Sequence, residues 1–346
     1  MMIRTWTYLG AAAIAIAASG TLAGCGGAGG PADAAAAGGS LEQHTITVDS
    51  VPVADEAGLY VAQQQGFFAR QGLTVKINSI TGGETAIPDL QSGKAQLVAG
   101  NYVSFILAQM AGTFDGKPIN MRIIAAGSEM TPGTESLYVM PHSKFQTVAD
   151  LARAHATIGV NTKSNVGDVV LGALLNDSGD KLSDIREVIP PGGFPALLSM
   201  LPAGKVNAAW LPQPLGDQAE QQFGAVPIAD MDQGSLEDFP FTGYIGTSQW
   251  VKSHPNTVAA FLKALDEGQQ LADTDRSAVE TALEKYTGIT PIIAATMAIE
   301  TYPLELDVPQ LQRVADSMFE FGLTPGARAP YRITSMIQPE PGLVGS

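Results

Sequence analysis

The sequence predicts an α/β chain made of two lobes of similar build. Three observations carry this. Strand-like and helix-like segments alternate from residue 45 to about residue 230, the pattern of a mostly parallel sheet flanked by helices. The alternation restarts after residue 127. And one plan is written twice, as "LQSGKAQLVAGN" (residues 90–101) and "LPAGKVNAAWLP" (residues 201–212). Each copy has a helix that stops at Gly, then Gly-Lys, an amide two residues after the glycine-lysine start, and an apolar strand that opens into polar or turn-forming residues.

The elements follow in order. "TITVDS" (45–50) is β-branched and alternating, so it predicts a strand. "EAGLYVAQQQGFFARQG" (56–72) has Leu59, Ala62 and Phe67 on helical spacing and a stop at Gly72. "LTVKINSI" (73–80) alternates again. "TGGETA" (81–86) turns into a short helix whose Pro88 is tolerable only in the first turn. Gly93 suits the left-handed residue that ends it. "AQLVAG" (95–100) is the next strand, Asn101 can cap "YVSFILAQMAG", and "MRIIAAG" (121–127) is a strand.

In the second lobe, Thr147 and Asp150 form a capping-box signal before "VADLARAH". "TIGV" (157–160) is a strand. Asn165, with Asp168 three residues on, can cap "VGDVVLGALLNDSG". "IREVIP" is a strand, "GGFPALLSMLPAG" a turn and short helix, "KVNAAWL" a strand, "PQPLGDQAEQQFG" a loop and helix, and "AVPIAD" a closing strand. From "FTGYIGTSQWV" (241–251) onward the expectation is helical, with Pro255 opening a helix and others near 276–286, 291–300 and 308–321.

The start of the chain reads as an address. Arg4 precedes "YLGAAAIAIAA" (8–18), an apolar run too short to span a bilayer, and "LAGC" (22–25) follows. This resembles the lipobox of bacterial lipoproteins, which implies cleavage before Cys25 and a lipid on its thiol; the rival is a plain secretory signal. Residues 26–43, rich in Gly and Ala, predict a flexible tether. The expected organisation is a signal peptide (1–24), the tether (25–43), lobe one (44–127 plus 243–346) and lobe two (128–242).

Several function classes are disfavoured. The net charge of -15 without a basic stripe argues against nucleic acid. Cys25 is the only cysteine, so neither an internal disulfide nor a multi-cysteine metal site can form. The four histidines, His44, His142, His155 and His254, lack metal-ligand spacing. There is no G-x-S-x-G, and neither Gly-Lys pair belongs to a phosphate loop. No metal and no cofactor is expected.

Four segments, in order, resemble a known family. "GLYVAQQQGFFARQGLTVKI", "LQSGKAQLVAG", "TVADLARAHATIGV" and "LPAGKVNAAWLPQP" are similar to segments of substrate-binding proteins in the nitrate/sulfonate/taurine group of ABC importers, a group related to the thiamine-pyrimidine proteins. The resemblance covers roughly residues 45 to 270. It implies a type II periplasmic-binding-protein fold, α/β, with two lobes joined by a two-crossing hinge and a helical C-terminal region. It further implies a monomeric, non-enzymatic solute-binding lipoprotein at the outer face of the cytoplasmic membrane, held there by its lipid anchor alone, with a permease and its ATPase as partners. The solute would be of sulfonate, nitrate, taurine or heteroaromatic (pyrimidine) type. The alternatives are a same-fold enzyme of the pyrimidine-synthase type, whose cysteine-rich motif is missing here, and a ligand-presenting sensor module. The chain departs from the family at Gln96, Asn207 and Gln213, where carboxylates are frequent.

Ligands of α/β sheets sit at the carboxyl ends of the strands. The candidate ligand-binding residues are therefore Ser50, Thr81, Gly82, Gly83, Asn101, Tyr102 and Ser104 in lobe one, and Asn161, Thr162, Asn165, Gly193, Phe194, Trp210 and Gln213 in lobe two. Each has a plainer rival: Asn101 and Asn165 as helix caps, the glycines as turns, Trp210 and Phe194 as core, Tyr102 as a solvent or hinge residue. The charged residues in or beside these loops are Asp55, Glu84 and Lys163, with no arginine to clamp an anion. That favours, slightly, a neutral, heteroaromatic or cationic ligand.

Overall fold

The structure is a computed structural model and describes residues 40–337. The expected signal peptide, Cys25 and the tether as far as residue 39 lie outside the described residues.

In chain order the elements are β1 (Thr45–Ser50), α1 (Ala57–Gln64), α2 (Phe67–Arg70), β2 (Thr74–Ser79), α3 (Ile87–Ser92), β3 (Leu97–Asn101), α4 (Tyr102–Ala111), a small hairpin of β4 (Thr113–Phe114) and β5 (Lys117–Pro118), and β6 (Met121–Ala126). Then come β7 (Glu135–Val139), α5 (Val148–Arg153), β8 (Thr157–Gly159), α6 (Val166–Asp177), β9 (Arg186–Val188), α7 (Gly193–Met200), β10 (Ala208–Pro212), α8 (Leu215–Phe223) and β11 (Val226–Asp230). The chain closes with β12 (Thr242–Thr247) and the helices α9 (Ser248–Ser253), α10 (Pro255–Thr274), α11 (Arg276–Thr287), α12 (Pro291–Thr296) and α13 (Val308–Glu320).

Among the described residues the larger strands form two five-stranded sheets, ordered β2-β1-β3-β12-β6 and β9-β8-β10-β7-β11. The plan is the same in both. Three parallel strands are followed by one antiparallel strand, β12 against β3 and β7 against β10. The doubled sequence is α3–β3 in one sheet and α7–β10 in the other, each ending on the central strand. The chain passes to the second sheet between β6 and β7 and returns between β11 and β12.

Two strands of the large sheets were not expected, nor was the small β4–β5 hairpin. Glu135–Val139 is buried along its whole length, so it lacks the alternation that marks a half-exposed strand. Thr242–Thr247 carries Gly243 and Gly246, residues that weaken a strand signal, and the helical expectation for this stretch is corrected. Gly243 is needed because a Cβ there would lie 2.4 Å from the Tyr102 ring. Both sheets are thus mixed rather than mostly parallel. The helix expected over 56–72 is split at Gly66, whose φ of 70° puts it in the left-handed region.

The caps are those the sequence offers. Asn101 accepts from the Ser104 N–H at 2.8 Å, and Thr147/Asp150 and Asn165/Asp168 close full capping boxes. Glu42 accepts from the backbone N–H groups of Asn256 and Thr257, so residues just before β1 are tied to the start of α10. One cluster of buried apolar side chains takes in Val98 and Phe105 by the first sheet and Leu137 and Trp210 in the second. Another, around Leu59, Phe68 and Phe261, lies under α1 and α10. No described helix is long and apolar enough to cross a membrane.

Candidate functional site

The strand ends of both sheets face one another. β3 ends at Asn101 and β10 ends at Pro212. Between them lies a small cavity of about 20 Å³, room for one water-sized group. Its walls come from both halves: Gly82, Gly100 and Asn101 on one side, Asn161, Val166, Phe194 and Trp210 on the other. Phe241 and Thr242, where the chain re-enters the first sheet, complete it together with Val51, Val53, Asp55 and Glu56, which follow β1. An outer groove of about 340 Å³ shares Val51, Val53 and Phe194 with this cavity and continues past Thr81, Leu198 and Gln218 to Tyr286.

Five of the expected residues, Gly82, Asn101, Asn161, Phe194 and Trp210, wall the cavity, and Thr81 walls the groove. The others sit a layer back or aside. Asn165 donates to Asn161 Oδ1 at 2.9 Å and to the Thr162 hydroxyl, so it and Thr162 set the angle of Asn161. Asn161 in turn donates to the Thr81 carbonyl at 3.0 Å, tying one half to the other. Gly193 lies against Thr81, where a Cβ would come within 3.2 Å. Gly83 packs on Phe105 and Ser104. Ser50 meets the Tyr60 hydroxyl at 3.2 Å. Tyr102 is core, 2% exposed.

Gln213 is also held away from the cavity. Its side chain donates to the Gly133 carbonyl and to Asp217, and its own carbonyl accepts from Ala54 N–H at 2.9 Å, across the two halves. The Gln213–Pro214 peptide is cis.

Trp210 is 1% exposed and sits edge-on to Phe194, with ring centroids 5.1 Å apart. Its indole N–H donates to Glu135. Glu135 belongs to a group the sequence reading did not assemble. Oxygens of Asp55, Glu135 and Glu300 lie within 4.8 Å of one another, all buried. Burial, and for Glu135 and Glu300 the charge of Asp55, pushes their carboxyls upward, so these acids share protons at neutral pH. The Tyr302 hydroxyl donates toward Glu300 and the Ala54 carbonyl. Glu56, 1% exposed, is likewise pushed up by burial and by Asp55. The sequence placed Asp55 in or beside the loops but gave no sign that it is buried, and nothing distinguished Glu56 from an ordinary solvated acid at a helix start. Phe241 and Thr242 were hidden because their strand was not expected.

The family described as NMT1/THI5 like matches residues 53–275. The chain belongs to the NMT1/THI5-like family. Among curated proteins, this family member is 26% identical over 269 residues to the nitrate import ATP-binding protein NrtC of Synechocystis, covering 72% of this chain but only 39% of that relative. It is 22% identical over 309 residues to a putative thiamine biosynthesis protein of Haemophilus influenzae, covering 83% of this chain and 90% of the relative. Among solved structures it is similar to the alkanesulfonate-binding protein SsuA from Xanthomonas axonopodis, with a TM-score of 0.72, 18% identity, and 86% and 99% of the two chains covered. It is similar to the periplasmic nitrate-binding protein NrtA from Synechocystis, with a TM-score of 0.71, 17% identity and 84% of each chain covered. The desulfurization enzyme DSZB shares the fold as well, with a TM-score of 0.65, 17% identity, and 86% and 97% covered. The NMT1/THI5-like fold is therefore common to periplasmic binding proteins and to at least one enzyme.

Proposed function

We propose that this protein is the extracytoplasmic solute-binding component of an ABC importer. It captures a small organic solute between its two sheets and hands it to a permease driven by an ATPase. The observation that carries this reading is the convergence of strand-end loops from both sheets on one cavity, with Asn161 of one half bonded to Thr81 of the other. Two crossings, between β6 and β7 and between β11 and β12, let the halves (44–127 plus 243–346, and 128–242) open and close. Closure is driven by whatever the ligand gains in the closed state over the open one. The nitrate- and alkanesulfonate-binding relatives support import as the role. The cavity's lining offers no Ser–His or Cys–His pair for covalent chemistry, and this favours binding without turnover over the enzymatic reading that DSZB raises.

A panel of sulfonates, nitrate, taurine, pyrimidines and aromatic acids tests this, read by thermal shift and small-angle scattering. A ligand of the folded state raises the melting temperature, and closure shrinks the radius of gyration. Chemical conversion of a panel member would replace the reading with an enzymatic one. We further propose that Cys25 carries the lipid that holds the protein, as a monomer, at the outer face of the cytoplasmic membrane. Cys25→Ala is expected to move the protein from the membrane fraction to the soluble one. Retention in membranes would remove the lipid anchor from the account.

A further inference from the structure

The inner cavity has an unusual electrical character for a site whose structural relatives bind anions. Two acidic residues, Asp55 and Glu56, are among those that line it, the Asp55 carboxyl also lying beside Glu135 and Glu300, and no Lys, Arg or His does so among the described residues. Glu56 is 1% exposed, and neither of its carboxyl oxygens has a hydrogen-bond partner in the protein. The Tyr244 and Thr242 hydroxyls face it without closing a bond of ordinary geometry. Asp55 Oδ1 is also unpartnered. Buried carboxyls without donors are costly, by about 1–3 kcal/mol each and more when charged. A fold keeps such groups where something arrives to satisfy them.

Two of the N–H donors an anion could use are already taken. At the start of α4 the Ser104 N–H is taken by Asn101 Oδ1, and at the start of α6 the Gly167 N–H is taken by Asn165 Oδ1. A sulfonate or nitrate entering here would meet two acidic residues, and would find these two helix starts already capped. A nitrogen cation would meet two acidic residues and the rings of Phe194, Trp210 and Phe241, whose faces attract positive charge. Size agrees. The inner cavity, about 20 Å³, suits one ammonium-sized group. The adjoining groove, about 340 Å³, has no Asp, Glu, Lys, Arg or His in its walls and suits an uncharged body.

We propose that this site is specific for a small organic cation, its ammonium-type nitrogen seated between Asp55 and Glu56 in the inner cavity and its apolar or aromatic body in the groove beside Phe194 and Tyr286. This deepens, and rests on, the solute-binding reading. It assigns to Glu56 the choice of ligand charge. Ion-pairing to the bound nitrogen also makes the closed state the favoured one, because only closure surrounds the pair with low-dielectric walls.

Calorimetric titration of the purified full-length protein with matched probes tests it. Methyl-, butyl-, benzyl- and phenethylammonium are compared with the sulfonates of the same bodies and with phenethyl alcohol. The expected result is saturable binding of at least one ammonium, none of its sulfonate or alcohol twin, and binding about tenfold or more weaker in Glu56→Gln. The Gln variant keeps size and shape, and a cooperative unfolding transition no lower than the parent's shows that it folds. Binding of a sulfonate with no ammonium binding would overturn the charge assignment while leaving the solute-binding reading intact. Ammonium binding unchanged in Glu56→Gln would overturn the role of Glu56. Binding of Ca²⁺ or Zn²⁺ that Glu56→Gln abolishes, with no ammonium bound, would put a metal there instead and overturn the proposal. No response to either series also overturns it, and the broader reading is then judged by the panel described above.

Discussion

Gln96 and Asn207 do one job in two places. The Gln96 side-chain oxygen accepts from Thr47 N–H at 2.8 Å while Gln96 N–H donates to the Thr47 carbonyl. Asn207 repeats both bonds with Thr157, its side-chain oxygen 2.9 Å from the Thr157 N–H. Each amide thus pins the start of a central strand to its parallel neighbour. The Asn207 oxygen only accepts here, as a carboxylate would, whereas Gln96 Nε2 also donates to the Gly93 carbonyl at 2.7 Å, a bond a carboxylate could not make. Replacing either by Ala removes two side-chain bonds, for Gln96 those with Thr47 and Gly93 and for Asn207 those with the Thr157 N–H and hydroxyl, and should cost about 1–3 kcal/mol. Because the two sites lie in different sheets, the double variant should show the sum. Urea unfolding of the three variants measures this; a double-variant loss well above the sum would show the sheets to be coupled through these residues. Trp210 has a different burden. Trp210→Phe keeps most of the ring but leaves the Glu135 oxygen without its donor, a loss of about 1–3 kcal/mol in melting experiments.

At the scale of elements, α1 and α10 cross unusually close. Gly58 and Gly268 make this possible: a Cβ on Gly268 would lie 2.5 Å from the Gly58 carbonyl oxygen and 2.6 Å from Ala62 Cβ. Helix propensity favours Ala over Gly by about 1 kcal/mol. Overpacking against backbone costs about 1–3 kcal/mol, so Gly268→Ala should lower the urea midpoint, and a raised midpoint would show the helices free to separate. The legibility of the elements follows from the same physics. Strands β1, β2 and β3 were readable from β-branched runs between turn residues, and α4, α5 and α6 from caps that later proved bonded. β7 and β12 were not, because one is buried on both faces and the other yields its side chains to neighbours such as Tyr102. The loop residues of the site were readable wherever they follow a legible strand. Asp55 was readable as a charge beside the loop after β1, but Phe241, Thr242 and Glu56 were not, since their placement depends on strands or burial that local sequence does not declare.

For the molecule as a whole, charge sets a dependence on pH. Glu56, Glu135 and Glu300 are pushed up by burial; Asp266 reaches about 6 by burial alone, and Glu187 about 7 by burial and the charge of Asp168. Each holds its proton more tightly folded than unfolded. Above the ordinary value of 4.5 for Glu, the unfolded chain therefore gives up protons that the folded chain keeps, and stability falls as pH rises. Glu42, lowered to about 2 by hydrogen bonds from the start of α10 that outweigh its desolvation, is ionised throughout this range and does not oppose the trend. The melting temperature should be higher at pH 5.5 than at pH 7.5, at fixed ionic strength, in keeping with about pH 5–8 as the usual span of maximal stability. Glu300→Gln, which cannot ionise, should narrow the gap; an unchanged gap would move the origin of the effect to the surface, where the net charge of -15 repels itself.

The position of β12 has a consequence for how the molecule comes into being. That strand lies between β3 and β6, yet it follows the whole second sheet in the chain. As the polypeptide emerges N-terminus first, its earliest strands must wait, one partner short, until residue 247 has been delivered. The second sheet, contiguous from β7 to β11, can settle while they wait. Assembly therefore runs from the middle outward, and a fragment ending before β12 would leave the edges of β3 and β6 bare and open to pairing with other chains.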